Sequence, residues 1–341
     1  MEYRTLGSTG LDVSVLGFGM WPIGGSQRAG DYGTVSDGDA VAAIRRALDL
    51  GVTLFDTAPA YGNGRAEEIL RVGLGGRRDE AVITTKCAVH WDYDAERWIT
   101  TSTHDAIAES ADASLRRLGT DRIDLLLIHV PDPDGSPQGA MQAFQELVDA
   151  GKVRAVGVSN FTIDQIDEYR AFGNLQVQQL GYHMLDRRIE TTMIPRCQEL
   201  GLGLMTYGSL CHGLFSGTWS ADHSFPTEDW RAAGDVFGLP LFAGDNLRQN
   251  IGVADRLGEF AATQAHTVAQ LAIAWVVQNR AVGTALAGMR APHEVDENVA
   301  AVDWHLTADD LEAVEAILAD AAGTVGPDHY VVNAAAESEE S

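Results

Sequence analysis

Short, almost unbroken apolar runs alternate along this chain with longer stretches whose apolar positions recur every three or four residues. The first pattern fits strands buried on both faces, the second helices that bury one stripe. Extended runs fall at 13–20, 53–56, 81–87, 123–129, 153–159, 175–182, 203–209 and 282–288. Helical patterns lie between them at 39–50, 66–74, 105–118, 138–150, 163–172, 191–200 and 268–278, with two more at 292–301 and 308–318. Gly51, Gly119 and Gly151 close three of the helices, as C-terminal caps do. Residues 2–14 read as a small hairpin, and 210–245 as a long loop rich in glycine, aspartate and aromatic residues. The stretch 331–341 carries no apolar pattern and is expected to be a disordered acidic tail.

Eight strand–helix units in about 300 residues predict an α/β fold, a single (β/α)8 TIM barrel spanning 1–330 as one domain. It would carry an N-terminal hairpin, the 210–245 loop and an extra C-terminal helix. The competing architecture, an open doubly wound sheet, would gather polar residues at one switch point. Here Asp56, Lys86, His129, Asn160, Gln179, Tyr207 and Arg290 stand at or just past successive strand ends, as on a barrel rim. Gly17-Phe-Gly19 resembles the start of a dinucleotide fingerprint, but Trp21-Pro22 follows and no helix can open there, which excludes a Rossmann turn.

Charge narrows the partners. Lys+Arg is 24 against Asp+Glu 49, a net charge of −25. Such a surface repels nucleic acid and anionic membranes. It fits an ordinary acidic protein or one adapted to a high-salt cytoplasm, where self-repulsion is screened. No apolar run reaches the ~18 residues of a membrane span, and the N-terminus lacks a signal peptide's apolar core, so a cytoplasmic location is expected. Three cysteines (Cys87, Cys197, Cys211) without CxxC spacing read as reduced thiols. The histidines show no metal-ligand spacing, and no metal is expected.

Chemistry concentrates after the second strand, where Asp56 and Tyr61 share one short loop. A phenol with a pKa near ~10 needs a neighbouring cation to release its proton near neutrality. Lys86, one of only two lysines, ends the next strand, and His129 the one after.

These residues sit in long motifs. Residues 51–62 (Gly-Val-Thr-Leu-Phe-Asp-Thr-Ala-Pro-Ala-Tyr-Gly), Thr85-Lys86, 124–129 (Asp-Leu-Leu-Leu-Ile-His) and 151–161 (Gly-Lys-Val-Arg-Ala-Val-Gly-Val-Ser-Asn-Phe) resemble the aldo-keto reductases. Residues 205–217 and 325–327 are similar to the bacterial branch near general-stress reductases and potassium-channel β subunits. The resemblance runs from about residue 3 to 330. It implies Tyr61 as proton donor to a carbonyl, Lys86 as the cation lowering its pKa, Asp56 as the anion holding Lys86, and His129 orienting the carbonyl. It further implies a nicotinamide dinucleotide, NADP(H) in preference to NAD(H). Gly19, Met20 and Trp21 would border it. Ser159, Asn160 and Gln179 would meet the carboxamide, and Tyr207 would stack on the ring. Gly208, Ser209, Leu210, Gly213, Ser216 and Gly217 would cover the diphosphate. Gly288, Met289, Arg290, Glu297 and Asn298 would hold the adenosine end, with Arg290 on a 2′-phosphate; Glu294 stands where some members carry a second arginine. Trp21, Trp91 and Val130 would line the substrate pocket, with loop aromatics Phe215, Trp219, Phe225 and Trp230 as further walls. The substrate would be a small carbonyl compound or sugar, and the chain a monomer or weak homo-oligomer. Oxidation of a sugar or alcohol with NAD(P)+, and a slow-turnover redox-sensing subunit, are the alternative roles.

Overall fold

The computed structural model describes residues 1–25, 32, 34–92 and 96–325, so the 331–341 tail and the 330 boundary lie outside the described residues. The strands among the described residues are β1 (Tyr3–Thr5), β2 (Asp12–Ser14), β3 (Leu16–Gly19), β4 (Leu54–Asp56), β5 (Val82–Cys87), β6 (Val89–Asp92), β7 (Arg97–Thr100), β8 (Ile123–Ile128), β9 (Val153–Ser159), β10 (Val177–Gly181), β11 (Gly203–Tyr207) and β12 (Val282–Gly288). Eight of them close a parallel barrel in the order β3-β4-β5-β8-β9-β10-β11-β12, with β12 pairing back onto β3. The predicted barrel is therefore present. Its helices are α1 (Asp37–Asp49), α2 (Arg65–Leu74), α3 (His104–Leu118), α4 (Pro137–Asp149), α5 (Ile163–Arg170), α6 (Met193–Leu200), α7 (Asp245–Ala262), α8 (Val268–Gln278), α9 (Pro292–Ala300) and α10 (Ala308–Leu318).

Alternation within the strands splits the apolar residues into two cores. Leu54, Leu125, Leu127, Ala155, Val177, Met205 and Leu286 point inward, and Leu6, Leu11 and Val13 of the β1–β2 hairpin close the floor beneath them. The outward residues pack against the helices in the larger core. Gly7, at φ +53°, lets the hairpin turn lie against the floor: a Cβ there would come 2.1 Å from the Gly203 nitrogen. Arg4 pins the same hairpin to the carbonyls of Val277 and Val282 at 2.9 and 2.6 Å.

Three elements depart from the sequence reading. The run 13–20 is two strands, because Ser14 Oγ accepts from Thr53 N and Leu54 N (3.0 and 3.4 Å) and the chain bends at Val15. Helix α7 fills a stretch to which the sequence reading assigned no element. A hairpin, β6–β7, pairs Trp91 with Trp98. No single described helix is long and apolar enough to cross a membrane.

Candidate active site

Inward-pointing positions at the C-terminal ends of the strands converge on one rim. Parallel register sets Asp56 opposite Gly19 and Thr84, Lys86 opposite Leu127, and Ser159 opposite Gln179. Tyr61 arrives from the loop after β4. That loop lies backbone to backbone on the turn Trp21–Gly24, and a Cβ on Gly24 would fall 2.7 Å from Gly62 N. Arg65, opening α2, ties the turn down by donating to Ile23 O.

Lys86 is 1 % exposed, and its ammonium meets an acceptor for each of its three N–H groups. Nζ donates to Asp56 Oδ1 at 2.6 Å, Thr57 O at 3.1 Å and Tyr61 Oη at 3.1 Å. The second Asp56 oxygen accepts from Gln179 Nε2 at 2.7 Å. Burial pulls Lys86 below the ordinary lysine value against the opposing pull of Asp56. Burial also pushes the half-buried Tyr61 hydroxyl well above the usual phenol value, and the Asp56 carboxylate adds to it. The shift is upward, not the lowering expected from Lys86, and the phenol of the free protein is held protonated. His129 stands edge-on to the Tyr61 ring, centroids 5.7 Å apart. Burial, with Lys86 beside it, holds it well below the imidazole range, so it is neutral.

The residues assigned to the dinucleotide divide into three groups. Around the rim, Asn160 (φ +63°) donates to His129 O at 3.1 Å and Ser159 Oγ at 3.0 Å, and accepts from Tyr207 Oη at 2.7 Å. Gly19 pairs with Gly288 where the barrel closes, while Met20 and Met289 turn wholly into the core. In the loop after β11, Gly208, Gly213 and Gly217 all have positive φ, Ser209 donates to Leu286 O at 2.9 Å, Leu210 is half-buried, and Ser216 donates to Gly213 O at 2.6 Å. At the start of α9, Arg290 is exposed and bound to Glu294: Nη2 meets Oε1 at 2.8 Å, and its backbone N meets Oε2 at 2.7 Å. Glu297 is half-buried and Asn298 is buried on the same helix.

Of the expected pocket residues, Trp21 lies nearly parallel to the Tyr61 ring at 6.1 Å, and Val130 is half-buried beside His129. Trp91 instead meets Trp98 edge-on at 5.3 Å on the β6–β7 hairpin. Sequence reasoning missed Tyr32, His212 and Phe237, which join Trp21 and Trp230 in an aromatic cover over the rim. A cavity of about 380 Å³ opens on the opposite face beside Arg4 and Arg280, away from these groups. Among the described residues, no three His, Cys, Asp or Glu side chains converge as a metal site. The thiols are buried, and burial pushes that of Cys197 up to about 12.

Residues 15–319 match the family model described as Aldo/keto reductase family. Aldo-keto reductase YhdN of Bacillus subtilis is 34% identical over 332 residues, covering 96% of this chain and 97% of that protein. The NADH-specific methylglyoxal reductase of Escherichia coli is 31% identical over 325 residues, covering 90% of this chain and 95% of that one. Among solved structures, the glycerol dehydrogenase AKR11B4 from Gluconobacter oxydans superposes with TM-score 0.82 at 31% identity, covering 94% of this chain and 96% of that one. An aldo/keto reductase from Klebsiella pneumoniae in complex with NADP and acetate does so with TM-score 0.69 at 25% identity, covering 93% and 95%.

Proposed function

The chain belongs to the aldo/keto reductase family and is an oxidoreductase; we propose that it reduces aldehydes or ketones to alcohols with NADP(H), Tyr61 delivering the proton. The observation that carries this is the Lys86 Nζ–Tyr61 Oη hydrogen bond at 3.1 Å, with Lys86 itself held by Asp56 at 2.6 Å. Lys86 donates into a lone pair of the phenol oxygen, so the proton of Tyr61 is left to face a substrate. As that proton departs, negative charge grows on an oxygen already beside an ammonium, which is general acid catalysis with a built-in counterion. Neutral His129 can donate one ring N–H to the carbonyl oxygen without placing a second positive charge beside Lys86.

The dinucleotide, when bound, supplies hydride to the carbonyl carbon. Its fit rests on the donor set and on bare backbone. Asn160 and Gln179 each carry the donor and acceptor that a carboxamide matches, and Ser159 adds a hydroxyl. The Tyr207 ring lies against the bare backbone of Gly181, where a Cβ would stand 3.4 Å from it, and it is the aromatic face offered to the nicotinamide. Arg290 offers a guanidinium for the 2′-phosphate, and the structure of the Klebsiella pneumoniae neighbour with NADP supports that choice. The Arg290–Glu294 pair favours a second reading in which NAD(H) also serves, as the name of the Escherichia coli relative says of that protein. Oxidation of an alcohol would use the same groups in reverse.

Tyr61→Phe tests the proposal. Turnover of any accepted aldehyde should fall by about 10²–10⁴-fold, the usual worth of a general acid, while NADPH binding followed by tryptophan quenching stays within about twofold. Turnover retained within tenfold of wild type would end Tyr61's role.

A further inference from the structure

Glu67 is a carboxylate with no solvent exposure, set in the first turn of α2 on the outer side of the barrel wall. Its two oxygens are taken by different elements. Oε1 accepts from the Thr85 hydroxyl on β5 at 2.6 Å, and Oε2 accepts from Arg117 Nε on α3 at 2.5 Å. Arg117 is itself fixed by donating from Nη2 to Ser114 Oγ at 3.2 Å. Replacing a buried ion pair by apolar residues of similar volume is often neutral or stabilising, so stability alone is a weak reason for this one.

What the pair does fix is the setting of the proton donor. Thr85 immediately precedes Lys86, and alternation along β5 sends Thr85 out to α2 while Lys86 points into the barrel. Only Gly62 to Ala66 separate Tyr61 from Glu67. The hydrogen bonds Thr85–Glu67 at 2.6 Å and Lys86–Tyr61 at 3.1 Å therefore close one ring from the Tyr61 loop, the start of α2 and the end of β5. One closure lies outside the strand and the other inside it.

The loop has little stiffness of its own. Gly62 and Gly64 stand at φ +60° and +90°, backbone that glycine adopts freely, and Gly64 caps α2 without a side-chain hydrogen bond. The turn Trp21–Gly24 bounds the loop at Gly62, and Arg117 bounds it at Gly64, where a Cβ would fall 2.5 Å from Arg117 Cδ. The guanidinium that Glu67 holds thus supports the loop on its own methylene stem. Glu67 joins that stem to the strand of Lys86.

We infer that Glu67 is a positioning residue for proton transfer, holding the Tyr61 hydroxyl at its distance from the Lys86 ammonium through Thr85 and Arg117. The inference rests on the reading of Tyr61 as the proton donor. Asp56 and the Thr57 carbonyl hold the ammonium from within, and Glu67 governs where the phenol meets it. Slackening the tie leaves substrate and dinucleotide bound and disturbs only the alignment of the group that gives up the proton.

Thr85 is the place to test this, since its side chain faces away from the barrel interior. Thr85→Val keeps the branched shape and removes the hydroxyl, whereas Thr85→Ser keeps the hydroxyl and removes the methyl. Oxidation of bound NADPH is followed in single turnovers with methylglyoxal, glyceraldehyde and benzaldehyde, so that product release does not enter. Thr85→Val should be slower by about 10- to 100-fold, as a misplacement on the order of 1 Å costs. Thr85→Ser should stay within about threefold of wild type. NADPH affinity and half-saturating aldehyde should move by less than about twofold in both. A tie that serves folding alone would lower melting temperatures and slow neither variant. Glu67→Gln, which keeps an acceptor for Thr85 and turns an amide N–H toward Arg117, should also slow the step by about tenfold, and it replaces Thr85→Val if that variant does not fold. Either variant folded and within about threefold of wild type, or equal slowing by Thr85→Ser and Thr85→Val, overturns the role of Glu67. Turnover that survives Tyr61→Phe, or none by wild type with all three aldehydes, would instead overturn the proton-donor reading.

Discussion

Glu294 should set how well the protein distinguishes NADPH from NADH. In the structure it holds Arg290 twice, at the guanidinium (2.8 Å) and at the backbone N–H (2.7 Å). Any 2′-phosphate that uses Arg290 must share it with this carboxylate. The Arg290 side chain is 53% exposed and that of Glu294 22%, so the pair itself is worth only ~0.2–1 kcal/mol. Repulsion is the larger effect. A phosphate seated on the guanidinium would stand roughly 6 Å from the Glu294 carboxylate, and its charge of about −2 against that single charge, at an effective dielectric of ~40–80, repels by roughly 1–3 kcal/mol, less in salt. Glu294→Gln keeps the backbone hydrogen bond and removes the charge. NADPH should then bind about 5- to 30-fold more tightly while NADH changes by less than about twofold, as a gain of ~1–2 kcal/mol converts. Titration of tryptophan fluorescence with each dinucleotide reads both constants. Repeating the titration in Arg290→Ala, where the Gln substitution should have a smaller effect, isolates the coupling. Equal gains for both cofactors, or none for NADPH, would refute the competition.

Acid should destabilise the fold through its buried histidines. Burial, only partly offset by Asp186, holds His183 at about 4 against an ordinary 6.5, and Leu185 N donates to its Nδ1 at 3.2 Å. A depressed folded value means stability is intact above 6.5 and lost as the unfolded chain takes up protons on the way down toward 4. Between pH 7.5 and 5 that is roughly 2 kcal/mol from this one residue, and urea midpoints for His183→Gln should show a shallower slope whatever the variant's absolute stability; an identical slope would sink the assignment. Salt should act the other way. With a net charge of −25, raising NaCl from ~0.1 to ~1 M shortens the screening length from ~10 to ~3 Å and should lift the melting temperature by several degrees, whereas a fall would mean that lost ion pairs outweigh relieved repulsion.

The barrel was legible because strands covered on both faces leave continuous apolar runs, and because every run but the first has, at or just past its end, a polar residue that has no place in a core. What stayed hidden depends on partners far along the chain. The break at Val15 comes from Ser14 catching the backbone of Thr53 and Leu54. Helix α7 escaped notice because its buried face carries Asn250, whose amide bridges Leu241 O and Ala322 O at 2.8 and 3.0 Å, and a polar residue there interrupts the stripe. The aromatic cover was visible as composition only. Its arrangement turns on left-handed backbone at Cys211, His212 and Phe237, and neither cysteine nor phenylalanine announces such a bend.

Lys86 shows why the gathering of polar groups at the rim was readable even so. In a chain whose bases are otherwise arginines and a single further lysine, a lysine at a strand end requires a reason. Asp56 Oδ1, Thr57 O and Tyr61 Oη surround one nitrogen at 2.6, 3.1 and 3.1 Å. A planar guanidinium spreads its donors over three nitrogens and could not point three of them at acceptors gathered about a single point. The geometry therefore demands an ammonium, and that demand reaches the sequence as a lysine where every neighbouring base is an arginine.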